Sequence, residues 1–114
     1  MSLPPLRNLS ADVCATGQLD AASMAVLAHA GFRSVINNRP DHEGGPDQPT
    51  SITLEGAATS AGLAYAYLPV APGYQSDEEA ARFLGLLNTL PRPIVVFCRT
   101  GTRSGKLFQA AMSI

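Results

Sequence analysis

The chain has 114 residues, of which 46% are hydrophobic and 15% are charged, and its formal net charge is −1 at pH 7. This length fits a single domain over 1–114, which can bury a core without disulfide or metal staples. A near-neutral charge and a pI near 6.0 exclude a strongly basic nucleic-acid surface. No apolar run is long enough to cross a membrane. We therefore expect neither a nucleic-acid nor a membrane partner.

The sequence carries no targeting signal and little support for a metal site. The first five residues lack the charged start and apolar centre of a signal peptide, so we expect a cytoplasmic protein. Two cysteines, Cys14 and Cys98, do not make a disulfide framework. With two histidines, His29 and His42, and no Cys-x-x-Cys pair, we predict no metal site and no cofactor.

Strand and helix patterns alternate along the chain. Asp20 and Gly31 bracket one predicted helix, while Ser76 and Glu79 form the capping box of another. The 39–50 stretch contains three prolines and two adjacent glycines, which predicts a loop. In chain order, we predict a strand over 13–15, a helix over 20–30, a strand over 33–37, a helix over 51–61, a strand over 64–68, a helix over 76–88, a strand over 94–97 and a helix over 104–112.

Strands separated by helices predict an α/β fold with a mostly parallel central sheet flanked by helices. The carboxyl ends of parallel strands lie along one edge of such a sheet, and ligands bind there. Three loops, 39–50, 69–75 and 99–103, should meet at this edge. Their polar side chains supply the candidate rim residues Arg39, Asp41, His42, Glu43, Asp47 and Tyr74.

The strongest functional signal is the cysteine that ends the last predicted strand. Residues 94–97 read Ile-Val-Val-Phe, Cys98 follows, and a polar loop with one glycine leads into the last helix. A thiol under a helix N-terminus faces backbone N–H groups and the positive end of the helix dipole, which stabilise the thiolate. Arg99 and Arg103 add positive charge. The pattern favours a nucleophile that also holds an anion over an inert core cysteine, which has no use for two nearby arginines.

We therefore predict that Cys98 and Arg103 are the catalytic residues. Arg103 would anchor an anion or stabilise the loop, and Arg99 would supply positive potential. Ser104 is interpreted as a helix cap at the edge of the site. Cys14 is interpreted as strand packing, with a disulfide to Cys98 only if the two strand ends are adjacent. The predicted substrate-binding residues are Arg99, Thr100, Gly101, Thr102, Ser104, Arg39 and Asp41.

The cysteine loop resembles the loops of two enzyme families. Cysteine-dependent protein phosphatases separate the cysteine and arginine by five residues and place a histidine before the cysteine, whereas rhodanese-type sulfurtransferases have one residue fewer. Here four residues separate Cys98 from Arg103, and Phe97 precedes the cysteine. A shorter ring of N–H groups suits a single sulfane sulfur better than a phosphoryl group, so the loop favours sulfur transfer.

The remainder of the chain resembles a bacterial phosphatase-like domain. The Gly-Gln of segment 13–19, the Asn-Arg-Pro-Asp of segment 30–41, and segment 62–70 resemble, with the cysteine loop, the family called beta-lactamase hydrolase-like. The resemblance implies a dual-specificity or protein tyrosine phosphatase-like fold. The family's domain also occurs fused to persulfide dioxygenases, an association that favours sulfur chemistry.

We predict a sulfurtransferase in which the Cys98 thiolate takes the outer sulfur of thiosulfate or glutathione persulfide and passes it to a thiol acceptor. The alternative is a hydrolase of phosphate monoesters that acts through a phosphocysteine, with Asp41 as its general acid. A third interpretation is a non-catalytic anion-binding module, which the intact cysteine beside two arginines argues against. The expected partner is a small anionic or thiol substrate, and the sequence leaves the oligomeric state open.

Overall fold

The computed structural model describes residues 3–114, which form a five-stranded sheet with helices on both faces. The predicted alternation of strands and helices is confirmed, and an additional N-terminal strand precedes it. The strands are β1 (Arg7–Ser10), β2 (Val13–Thr16), β3 (Ser34–Asn37), β4 (Ala64–Tyr67) and β5 (Ile94–Phe97). The helices are α1 (Ala21–His29), α2 (Ser51–Ser60), α3 (Asp77–Thr89) and α4 (Thr102–Met112).

The sheet is parallel except at one edge. Its strand order is β1-β2-β5-β3-β4. The four strands β2, β5, β3 and β4 run parallel to one another, while β1 pairs antiparallel with β2. The predicted α/β fold with a mostly parallel sheet is therefore confirmed, and β5, the strand that leads into Cys98, lies at its centre.

β5 is apolar throughout because both of its faces are covered by helices. Val95 and Phe97 pack in the core with α1 and α2, whereas Ile94 and Val96 pack with α3 and α4. All four side chains are 0% exposed, and burying each contributes roughly 1.5–3 kcal/mol. A shift of one residue would exchange the two faces, so this packing fixes where the strand ends and where Cys98 begins.

Two of the predicted helix-capping residues are found in the structure. Asp20 caps α1, and Ser76 caps α3 in the predicted capping box. The cap of α2 is Thr50, one residue before the predicted Ser51. No helix within residues 3–114 is long and apolar enough to cross a membrane.

Candidate active site

Cys98 follows β5 directly and lies at the first turn of α4. It is 1% exposed, and the Gly101 N–H donates a hydrogen bond to its Sγ at 3.1 Å. Burial raises the pKa of Cys98, but hydrogen bonds from the backbone and hydroxyl of Ser104 and from the backbone N–H groups of Thr100 and Gly101 outweigh burial. The net pKa of the thiol is below its ordinary value, which favours the nucleophilic thiolate.

Two glycines allow the end of β2 to pack directly on the cysteine loop. Gly101 begins α4 in a left-handed conformation with φ of 92°, and a Cβ there would lie 3.3 Å from the Thr16 carbonyl oxygen. A Cβ on Gly17 would lie 3.1 Å from the Arg99 carbonyl oxygen. Side chains at either position would push the two segments apart, so the loop shape depends on both glycines.

Arg7 of β1, which the sequence did not indicate as a site residue, also contacts the cysteine loop. Arg7 NH2 donates a hydrogen bond to the Gly101 carbonyl oxygen at 3.4 Å. The Thr16 hydroxyl, next to the loop, donates to the Pro5 carbonyl oxygen at 2.9 Å. The N-terminal segment therefore braces the cysteine loop, although no sequence pattern connects Arg7 with residues 94 positions away.

Arg103 is fixed in a buried position, and its Nε has no partner among the described residues. Its NH1 and NH2 each donate to a different Glu43 carboxylate oxygen at 3.0 Å, and NH1 also donates to the Val70 carbonyl oxygen at 3.1 Å. Its Nε is buried and has no hydrogen-bond partner within residues 3–114. A buried, unpartnered N–H costs free energy that a bound acceptor recovers, so this atom marks a place for an oxyanion.

Glu43 holds two guanidinium groups at once. Its Oε1 also accepts a hydrogen bond from Arg39 Nε at 3.0 Å, and Arg39 NH1 donates to Gln18 Oε1 at 3.0 Å. Burial raises the pKa of Glu43, but the hydrogen bonds from Arg103 and Arg39 outweigh it and lower the pKa. Glu43 therefore stays ionised and orients arginines. The sequence identified it only as one of six rim residues.

Ser104 lies inside the site, and its prediction as a helix cap is wrong because α4 begins two residues earlier. The buried Ser104 hydroxyl donates to Asn38 Oδ1 at 2.9 Å, and it is also placed to bond the Cys98 sulfur. A hydroxyl has one proton, and a thiolate accepts it more strongly than a neutral amide does. Asn38 is itself held by Leu68, whose carbonyl oxygen accepts from Nδ2 at 3.0 Å.

Asp41 anchors its loop instead of facing the thiol. Its Oδ1 accepts a hydrogen bond from the Ser51 N–H at 2.8 Å, and its own N–H donates to the Tyr67 hydroxyl at 2.9 Å. It does not line the cavity at Cys98. The structure therefore gives no support to Asp41 as the general acid.

Cys14 lies within β2, where its register partner on β5 is Val95 and not Cys98. Its Sγ donates a hydrogen bond to Asn8 Oδ1 at 3.1 Å. Both cysteines are free. The ends of β2 and β5 are adjacent, which was the condition for a disulfide, but Cys14 lies three register positions before the level of Cys98, so no disulfide joins them.

Two adjoining cavities open at the carboxyl edge of the sheet. The inner cavity, about 190 Å³, is lined by the cysteine loop, by the 69–75 loop and by Lys106. The outer cavity, about 540 Å³, is lined by Arg39, Glu43, Gly44, Pro72, Arg99 and Arg103. The three loops predicted to meet are therefore brought together. Of the rim candidates, Asp41, His42, Asp47 and Tyr74 line neither cavity.

A mostly parallel sheet that leads into a thiolate-stabilising loop, with a buried arginine lining the same cavity as the cysteine, defines a phosphatase-like, cysteine-based domain. Residues 5–113 match the family model described as "Beta-lactamase hydrolase-like protein, phosphatase-like domain", and the chain belongs to that family. A beta-lactamase hydrolase-like protein of Xylella fastidiosa is 34% identical over 93 residues, which cover 82% of this chain and 21% of the relative. The chain thus spans about a fifth of the length of the curated relatives it matches.

Solved structures agree with this assignment. A candidate phosphatase from Neisseria meningitidis is 27% identical, with a TM-score of 0.81 over 89% of this chain and 71% of that one. Pseudomonas aeruginosa TpbA in complex with pTyr is 18% identical, with a TM-score of 0.65 over 90% and 58%, and shows likeness of fold. The dual-specificity and protein tyrosine phosphatase-like fold is confirmed. The matches favour the phosphatase alternative over sulfur transfer.

Proposed function

We propose that this domain hydrolyses phosphate esters through a phosphocysteine on Cys98. The observation that carries the proposal is the unpartnered, buried Nε of Arg103. Its guanidinium is oriented by both carboxylate oxygens of Glu43, so the Nε–H has a fixed direction. A phosphoryl oxygen there would complete the hydrogen bonds of Arg103 and receive its positive charge.

The first step is attack of the Cys98 thiolate on phosphorus. A sulfur–phosphorus bond forms, the bond from phosphorus to the leaving oxygen breaks, and that oxygen takes up a proton. In the second step, water attacks the phosphocysteine, inorganic phosphate is released, and Cys98 becomes a thiolate again. The N–H groups of Thr100 and Gly101 and the Ser104 hydroxyl stabilise the sulfur as the leaving group.

No carboxylate lines the inner cavity within the described residues 3–114. Glu43, in the outer cavity, is kept ionised by two arginines. The leaving oxygen therefore receives its proton from water, and substrates with acidic leaving groups should react faster. We expect rates across a series of aryl phosphates to fall as the pKa of the phenol rises.

A bound phosphoryl group accounts for the unpartnered Nε of Arg103 better than a sulfane sulfur does. A persulfide on Cys98 carries no oxygen, so it would leave Arg103 Nε without its acceptor after the transfer step. A phosphocysteine carries three oxygens at the same position. The four-residue spacing predicts a small ring, but it does not account for the buried cation.

The two chemistries are separated by incubating the purified chain either with p-nitrophenyl phosphate or with thiosulfate and cyanide. We expect phosphate release and, after acid quenching, a mass gain of one phosphoryl group that is lost in Cys98→Ser. Cys14→Ser is the matched control and should behave as the wild type. Gain of a sulfur atom and thiocyanate formation without phosphate release would overturn the proposal.

A further inference from the structure

We propose that the outer cavity is a second anion subsite, centred on Arg99, and that the substrate therefore carries a second anionic group beside the phosphoryl group that reacts. This inference rests on the proposed function, because the first group occupies the inner cavity at Cys98. The substrate is then a phosphate ester or anhydride with a neighbouring phosphate or carboxylate.

The first support is the concentration of positive charge. The two cavities are lined by four cationic side chains, Arg39, Arg99, Arg103 and Lys106, and within residues 3–114 the only carboxylate beside them is Glu43. The whole chain has eight lysines and arginines against nine acidic residues. Half of its cations therefore surround these cavities in a molecule with a net charge of −1, and a cleft with an excess of positive charge attracts a multiply charged anion.

The second support is that Arg99 has no internal partner. Arg39 and Arg103 form ion pairs with Glu43, but none of the ion pairs within residues 3–114 includes Arg99. Arg99 is exposed and lines both cavities. A single phosphoryl group at Arg103 would leave the Arg99 guanidinium uncompensated, whereas a second anionic group in the outer cavity would pair with it.

The third support is the shape and chemistry of the walls. The two cavities share Pro72, Arg99 and Arg103, so one ligand can extend from the inner into the outer cavity. The outer cavity has more than twice the volume of the inner one. No aromatic side chain within residues 3–114 lines either cavity, so neither is built to stack an aryl leaving group.

The test measures protection of Cys98 from alkylation by iodoacetamide, with chelator present and without any need for turnover. The probes are inorganic phosphate with one anionic group, pyrophosphate with two phosphates, and phosphoglycolate with a phosphate and a carboxylate. We expect pyrophosphate or phosphoglycolate to protect at concentrations at least tenfold lower than phosphate. The stronger of the two identifies the second group.

Arg99→Gln should remove most of this preference, weakening two-group probes about tenfold and phosphate by a clearly smaller factor. Arg33→Gln, which removes an exposed arginine at the opposite end of β3, is the matched control and should leave all three affinities unchanged. Far-ultraviolet circular dichroism verifies folding of both variants. Equal protection by all probes, or equal losses in Arg99→Gln, would refute the second subsite and leave the proposed function standing. Absence of protection by any probe would refute anion binding at Cys98, on which the proposed function depends.

Discussion

The two cysteines lie on neighbouring strands of one sheet, yet their thiols are shifted in opposite directions. Cys14 lies within β2, and burial raises its pKa. Cys98 follows β5, where burial also raises the pKa, but hydrogen bonds from Ser104, Thr100 and Gly101 lower the pKa by more than burial raises it. Burial is therefore common to both cysteines, and the donors at the start of α4 make the difference.

The comparison shows that position along a strand decides the chemistry of its cysteine. Within a strand, the neighbouring N–H groups are committed to the ladder, as in the pairing of β2 with β5. Past the strand end, the first N–H groups of a helix have no intrahelical partner and are free to bond a thiolate. The sheet places Cys98 at such a point and keeps Cys14 three register positions away from it.

The largest expected effect comes from removing each thiol in turn. Cys98→Ser should lower phosphate-ester turnover on the order of 10³-fold or more, because an alcohol is not ionised near neutral pH. Cys14→Ser should retain the wild-type rate. Steady-state kinetics with p-nitrophenyl phosphate measure both variants, and comparable losses in the two would break the contrast between the cysteines.

The next effect tests the cation beside Cys98, which Cys14 lacks. Arg103→Lys keeps a positive charge but loses Nε and the paired contacts to Glu43, so we expect kcat/KM to fall about hundredfold. Arg82→Lys is the control, since Arg82 is an exposed partner of Glu78 on α3. An Arg103→Lys enzyme with wild-type kcat/KM would show that charge alone is sufficient.

A smaller effect tests the donor that helps distinguish the two thiols. Ser104→Ala removes a hydrogen bond to the charged sulfur, which is worth about 1.5 kcal/mol or roughly tenfold in rate. It should also raise the pKa of Cys98 in a profile of iodoacetamide alkylation against pH. Ser113→Ala, at the other end of α4, should change neither quantity. An unchanged profile in Ser104→Ala would assign the low pKa to backbone donors alone.

The smallest effect is a difference in how stability depends on pH. The pKa of Cys98 is lower in the folded chain, so its contribution to the unfolding free energy grows as pH rises towards the unfolded pKa and is lost as pH falls through the folded pKa. The pKa of Cys14 is higher in the folded chain, so its contribution is lost as pH rises through that value. Urea unfolding at a series of pH values should show that Cys98→Ser and Cys14→Ser change the slope with opposite signs.

Much of the fold was predictable because it depends on local patterns. The apolar run of β5 and the capping residues of α1 and α3 are local signals, and the structure agrees with each. β1 was missed because Arg7–Ser10 has a single apolar residue and half of it is exposed, so it lacks an apolar pattern. Its pairing with β2 is decided by tertiary contacts.

The site was predictable only in part, for a related reason. Cys98 precedes the loop and Arg103 lies in the first turn of α4, so the two are close in sequence and their spacing is visible there. Glu43 and Asn38 reach the start of α4 from the segment that follows β3, and nothing local shows that one binds Arg103 and the other binds Ser104. The loop length describes only the ring of N–H groups, and this ring alone favours sulfur. It carries no information on the Glu43 and Asn38 side chains.

β1 contributes little to the core beyond the partly buried Leu9, but it and the residues before it contact the loop that holds the nucleophile. Arg7 bonds the Gly101 carbonyl oxygen, and the carbonyl oxygen of Pro5 accepts from Thr16 beside the loop. Proteolytic trimming ahead of Ala11 would spare Cys98, Arg103 and Glu43 while releasing the loop on one side. The reactivity of the Cys98 thiol should therefore depend on an intact segment ahead of Ala11, although that segment takes no part in the chemistry.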